Sequence, residues 1–366
     1  MALFKTEKSP AKTVVEEVCK IKKGEKVLII ANPETSNIAQ SLYLASQEAG
    51  ASTTLMFQQK KSSMDCAEEA VVGAIKSEPN VIFSISAVKL GKDRAAQAKP
   101  YVAQDGKTYD STFDYLLDGK KSIRAVWTPG LTEDMFERTV KIDYRLLGER
   151  CNKLCAKYEN AVSVHVTSPN GTDITVGVKG RKGLLDNGDF SLPGSGGNIP
   201  AGEVFISPVV GSCCGKIVFD GSMTFSDGDS ILETPIEVTV EEGFVKDIKG
   251  GEEAKRLLKD ISAAEKEAFA LEKNGKLPLG QGAVYSKNAR NIGELGIGLN
   301  PCATITGNML EDEKAFRTCH FAIGQNFDND APSLIHFDGV VRNPTIEITY
   351  EDGKTCLILD KGELKL

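Results

Sequence analysis

Positive charge is in short supply. The chain carries 44 Lys and Arg against 51 Asp and Glu, a net charge of -7. A phosphate-backbone partner needs a clustered basic surface, so nucleic acid is not expected as a partner. The pairs Lys60-Lys61 and Lys120-Lys121 read as solvated faces. No apolar run approaches the roughly 20 residues that span a bilayer, so no membrane helix is expected. The opening residues, Met1-Ala2-Leu3-Phe4-Lys5-Thr6-Glu7-Lys8, have no apolar export core, and a cytoplasmic protein is expected. The nine cysteines are an odd number and read as reduced thiols. Cys213-Cys214 and the Cys151/Cys155 pair lack a second pair at zinc-site spacing, so they read as small buried hydrophobes. Cys302 and Cys319 read the same way, having no clear base partner in sequence. Internal repeats are absent, and histidine is scarce, with three in 366 residues.

What is present is a change of texture along the chain. At 366 residues it exceeds the size at which one core keeps growing, so two domains are expected, 1–150 and 151–366. The first alternates strand and helix patterns, which predicts a doubly wound α/β domain. Val27-Leu28-Ile29-Ile30 reads as a fully buried parallel strand. Ile38, Leu42, Ala45 and Ala49 then fall on one helical face that Gly50 closes. Further strands are predicted over 53–57, 81–85 and 123–127, with a helix between Asp65 and Ile75. The turn after the first strand, Ala31-Asn32-Pro33-Glu34-Thr35, lacks the glycines that admit a pyrophosphate, so no cofactor is assigned there. The polar stretch Gly91 to Gly119 reads as a lid or a surface insertion.

From about residue 160 the pattern shortens to alternating strands, predicting an α+β domain of mainly antiparallel strands. Strands are expected over 162–166, 174–178, 202–206, 217–219 and 236–240, with hairpin turns at Asn170-Gly171 and Glu242-Gly243. One long helix is predicted over 252–273, with Ala254, Leu257, Leu258, Ile261 and Ala264 on one side. A hairpin over 346–350 and 356–359 ends the chain.

The chemistry concentrates in this second half. In His336-Phe337-Asp338, residues i and i+2 of a strand face the same way, so imidazole and carboxylate could close on one ion. His320 lies sixteen residues earlier (336 minus 320) in a strand-like run ending at Gly324. His165 alternates with valines and has no acidic partner in sequence, so it reads as structural. Glu294 stands among Gly293, Gly296 and Gly298, where close backbone approach is possible, and Glu203 opens a strand after a glycine-rich run.

Taken together, Asn198-Ile199-Pro200-Ala201-Gly202-Glu203-Val204-Phe205, Gly293-Glu294-Leu295-Gly296, Cys319-His320-Phe321-Ala322-Ile323-Gly324 and His336-Phe337-Asp338 resemble the aminopeptidase T family of metallopeptidases, the thermophilic or aminopeptidase S-type group. The resemblance implies two divalent ions (zinc, cobalt or manganese) held by Glu203, Glu294, His320, His336 and Asp338. It further implies a cytoplasmic, homodimeric aminopeptidase acting on small peptides through a metal-activated water. Glu294, with Glu203, would move the protons. A family tyrosine seven residues after the first histidine is Phe327 here, which removes a hydrogen-bond donor for the oxyanion. The chain also looks shorter than those peptidases. The alternatives are a 2,5-dihydroxypyridine dioxygenase, which resembles the same family and uses one Fe(II), and a non-catalytic binding protein on the same fold. In that dioxygenase pattern the position of Glu294 is a histidine, and Glu203 and His320 are not ligands.

Overall fold

A run of apolar residues with no polar interruption can be stable only where both faces of its sheet are covered, and the N-terminal strands have this character. A computed structural model of the protein describes residues 7–62 and 65–366. Most of the start read above for its missing export core, residues 1–6, lies outside them. The chain divides into two compact units. One runs to Gly148 and takes in Asp186–Ala201; the other comprises Glu149–Leu185 and Gly202–Leu366. The division after Gly148 falls inside a helix, Tyr144–Lys157. The N-terminal unit also includes a segment, 186–201, that a single cut at residue 150 leaves out.

In the N-terminal unit four strands, β1 (Lys26–Ala31), β2 (Ser52–Phe57), β3 (Val81–Ile85) and β4 (Arg124–Trp127), pair in parallel in the order β4-β3-β1-β2. The returning segment adds a fifth parallel strand, Gly196–Gly197, beside β4. Helix α1 (Ser36–Glu48) buries Ile38, Ala39, Leu42 and Ala45, and Gly50, at φ 83°, follows its end in the left-handed region. Helix α2 (Glu69–Lys76) buries Val71 and Ile75. These join Leu28, Ile30, Ile82, Leu116, Leu117 and Ile123 in one apolar core. Leu116 and Leu117 belong to the stretch 91–119, so its end is core and not surface insertion.

Where β1 ends, Asn32 ties the sheet together: its amide donates to Gln58 O and its oxygen accepts from Ala87 N, at 2.9 and 2.7 Å. The Asn32 side chain of that turn is thereby engaged in joining the segments after β2 and β3. A cavity of about 490 Å³ opens beyond the carboxyl ends of β3 and β4, lined by Ser84, Ser86, Asp93, Asp114, Trp127 and Thr128 among others, with no histidine or glutamate. Arg124 forks onto Glu25, donating to both carboxylate oxygens at 2.9 and 2.6 Å.

The C-terminal unit is antiparallel. Its eight-stranded sheet begins with β5 (Ala161–Thr167) and β6 (Asp173–Gly177). Its seven-stranded sheet holds β7 (Glu203–Ile206), β8 (Ser222–Phe225), β9 (Ile292–Gly298), β10 (Thr318–Gly324) and β11 (His336–Arg342), in the order β8-β11-β10-β9-β7. Glu242 and Gly243, both at positive φ (49° and 79°), make the hairpin turn expected of that pair. Helix α3 (Glu252–Lys273) buries Ala254, Leu257, Ile261, Ala264 and Ala268. Leu258, expected on that side, is 40% exposed because it sits at the edge of the apolar stripe. No helix among the described residues is long and apolar enough to cross a membrane.

Candidate metal centre

Four adjacent strands deliver the five residues singled out in the sequence. Directly paired residues of an antiparallel sheet point to the same side, and so do residues two apart on one strand. Glu294 pairs with Ala322, and Ala322 with Asp338, which makes one rung across β9, β10 and β11. His336 and His320 are each two residues from that rung. Glu203 pairs with Gly298, four residues from Glu294. All five side chains therefore project from one face.

The same face is paved with small residues. A Cβ added to Gly296, which pairs with His320, would stand 2.0 Å from the imidazole Nε2. Ala322 leaves only a methyl between Glu294 and Asp338. Gly296 is thus required by the room that the buried imidazole takes, while Gly293 and Gly298 lie against the backbone of Gln325 and Ala315.

Glu294 lies between the two histidines. His320 Nε2 is 3.1 Å from its Oε1, and His336 Nε2 is 3.8 Å from its Oε2. Asp338 Oδ1 is 3.4 Å from His336 Nε2, and Glu203 Oε2 is 3.6 Å from His320 Nε2. His336 Nδ1 meets the carbonyl of Gln325 at 2.8 Å, where only an N–H can donate. That fixes the tautomer and leaves Nε2 to face the carboxylates, the arrangement typical of a metal-binding histidine. His320 differs: its Nδ1 is buried with no hydrogen-bond partner.

Two further groups were not legible in the sequence. After the short helix Met309–Asp312, Glu313 and Lys314 enter the same site. Lys314 is wholly buried, and its Nζ donates to Glu203 Oε1 at 2.8 Å and to Glu313 Oε1. The run Glu311-Asp312-Glu313-Lys314 looks like a solvated helix end. Instead Glu311 accepts from Thr304 N at 2.7 Å and Asp312 from Thr306 N and Gly307 N at 2.7 and 2.9 Å, folding the preceding loop back onto this helix. The three successive carboxylates Glu311, Asp312 and Glu313, between Gly307 and Ala315, were the available signal.

The electrostatics favour a cation. Four carboxylates (Glu203, Glu294, Glu313 and Asp338) face one ammonium. Burial opposes the charged form of His320, but the hydrogen bond to Glu294 and the neighbouring carboxylates outweigh it and raise the imidazole to about 9. Burial likewise opposes a charged His336, and Asp338 and Glu294 lift it to about 10; at 38% exposure this side chain keeps contact with water. Burial pushes Asp338 up, while the His336 imidazolium beside it draws the carboxyl below its usual range. Burial pushes Glu313 up against the pull of Lys314. Imidazoles this ready to take protons mark an excess of negative charge that a divalent ion would balance. Ligand atoms within 4.8 Å of one another form two groups, Glu203/Glu313/His320 and Glu294/His336/Asp338. The donors fit a hard or borderline divalent ion.

His165, expected to lack an acidic partner, has one: Asp173 on the neighbouring strand, 2.8 Å away on an exposed face. Phe327 is exposed and meets Phe205 edge-on, with ring centres 5.6 Å apart. Cys319 is buried and burial drives its thiol upward, which suits a core residue. Cys302 is half-buried and Cys214 exposed.

Comparison with known proteins places this geometry. The family model described as NicX: 2,5-dihydroxypyridine 5,6-dioxygenase matches residues 133–365. The fold is similar to that of 2,5-dihydroxypyridine dioxygenase from Pseudomonas putida KT2440, with a TM-score of 0.67 and 17% identity over 97% of this chain and 96% of that one. It is similar also to AmpT from Thermus thermophilus, with a TM-score of 0.65 and 17% identity over 98% of each chain. The latter match corrects the expectation of a shorter chain. At this identity the two structures show the shared fold. No curated protein matches the sequence.

Proposed function

The chain belongs to the NicX: 2,5-dihydroxypyridine 5,6-dioxygenase family, and from that premise we propose that it is a metal-dependent enzyme that uses its bound ion for hydrolysis of a small amide or peptide. Enzyme status is supported by the family and by both structural neighbours, a dioxygenase and an aminopeptidase. The observation that carries the hydrolytic reading is Glu294, with one oxygen directed at each imidazole. A ferrous ring-cleaving site is built from two imidazoles and one carboxylate, whereas the group around His336 offers two carboxylates and one imidazole. A divalent ion held there would polarise a carbonyl and bring the pKa of a water towards ~7. Glu294 would take that water's proton and hand it to the leaving amine. Asp338 and the Gln325 carbonyl hold His336 in register. With Phe327 in place of a phenol, the protein supplies no hydroxyl there for an oxyanion.

The ring-cleaving reading is favoured by the family match itself. Both are tested on one preparation, stripped of metal and reloaded. With Zn²⁺, Co²⁺ or Mn²⁺, aminoacyl amides should be hydrolysed, the activity should vanish with chelator, and Glu294→Gln should lower kcat by roughly 10²–10⁴-fold. Oxygen uptake with 2,5-dihydroxypyridine after anaerobic Fe²⁺ loading, without amide hydrolysis, would overturn the hydrolytic reading.

A further inference from the structure

Two groups of three ligands would ordinarily call for two ions, one in each. The first group already contains a cation. Lys314 Nζ lies 2.8 Å from Glu203 Oε1 and is hydrogen-bonded to Glu313 Oε1, so one oxygen of each carboxylate in that group already faces an ammonium. The lysine is enclosed. Its side chain is wholly buried, and its backbone is fixed by hydrogen bonds from Lys314 N to Glu311 O at 2.9 Å and from Asn300 N to Lys314 O at 3.0 Å. A divalent ion on the same two carboxylates would stand against an ammonium at hydrogen-bond distance, in a site with little water to screen the repulsion.

The second group is different. Glu294 and Asp338 face imidazole nitrogens, the kind of donor that shares an ion with a carboxylate. His336 also has the carbonyl partner on Nδ1 that presents Nε2 to an ion, while His320 Nδ1 has none. We infer that Lys314 takes the place of a second metal ion, so that the centre binds one divalent ion at Glu294, His336 and Asp338. His320, beside Glu203, then acts as a positioning residue that holds Glu294. The inference rests on the reading of the site as a divalent-metal centre.

Metal content separates the two. The full chain, stripped with chelator and dialysed against Zn²⁺, should carry one ion per chain by plasma mass spectrometry. Asp338→Asn should lose that ion and Glu203→Gln should keep it. Lys314→Met, which removes the charge and keeps the bulk, should take up a second ion, raising the ratio from one to two. Two ions in the unsubstituted chain would overturn the role of Lys314 and leave the metal centre standing; so would a folded Lys314→Met protein that still binds one. An ion lost with Glu203→Gln and retained with Asp338→Asn would overturn it even if Lys314→Met fails to fold. No ion in the unsubstituted chain would overturn the metal reading beneath it.

Discussion

Among the described residues two strands are buried at every position, and they differ in what they enclose. β3 reads Val-Ile-Phe-Ser-Ile, and its one polar side chain, Ser84, meets the hydroxyl of Ser86 at 3.0 Å. β10 reads Thr-Cys-His-Phe-Ala-Ile-Gly and carries the imidazole of His320 through its middle. The apolar strand has only to match the shape of its neighbours. The strand with an ionisable group must also be supplied with counter-charges, from Glu294 on β9 and Glu203 on β7, and with space, from Gly296. Stability in the first case comes from area removed from water. In the second it depends on several residues being present together.

Removing one member of the charged set should show this most strongly. Lys314→Met should cost about 4 kcal/mol in denaturant unfolding of metal-free protein, because Glu203 and Glu313 are left buried without their cation. Added Zn²⁺ should restore part of the loss, and a cost below about 1 kcal/mol would show the carboxylates to be satisfied otherwise. Ile82→Ala, in β3, should cost about 3 kcal/mol through the cavity it leaves, with Zn²⁺ stoichiometry unchanged. A change in metal content there would break the distinction between the strands. Gly296→Ala should cost about 2 kcal/mol, since the new methyl competes with a buried imidazole for the same space. Its sharper readout is Zn²⁺ affinity by calorimetry, which should fall, whereas the same substitution at Gly24, which has open space around it but a φ of 85°, should affect stability alone.

The smallest effect concerns charge outside the site. Arg124 holds the Glu25 carboxyl below its usual range, so folding gains from that pair above the ordinary carboxylate pKa of ~4.3 and loses the gain as pH falls through the lowered folded value. Glu25→Gln should therefore cost about 1 kcal/mol at pH 7 and progressively less in acid. A pH-independent difference in unfolding midpoint would point to packing instead.

Much of this was legible in the sequence where a local rule governs. The apolar run of β1, the turn at Glu242-Gly243 and the periodicity of α3 each follow from a few neighbouring residues. The spacing of His336 and Asp338 placed them on one face because a strand's period admits no other result. Lys314 was not legible. Its burial depends on the loop from Asn300 to Gly307 folding back onto Glu311 and Asp312, and no local pattern distinguishes that lysine from one in water. The acidic partner of His165 was missed for a similar reason, since Asp173 reaches it across the hairpin.

The strand Gly196–Gly197 has a consequence for the order in which the molecule is made. Translation delivers β1 to β4 first, then the first two strands of the other sheet, and only afterwards the residues that pair with Ala125 and Val126. The backbone bonds that seat this segment, Phe190 N to Val18 O, Gly194 N to Ile123 O and Ala125 N to Ser195 O, join it to residues synthesised some 70 to 170 positions earlier. A nascent chain cut near residue 150 thus holds a parallel sheet whose outer edge is open, the kind of edge that recruits foreign strands. The N-terminal unit therefore cannot finish on the ribosome before the other has begun, and the edge on β4 stays open until residues 196 and 197 are made.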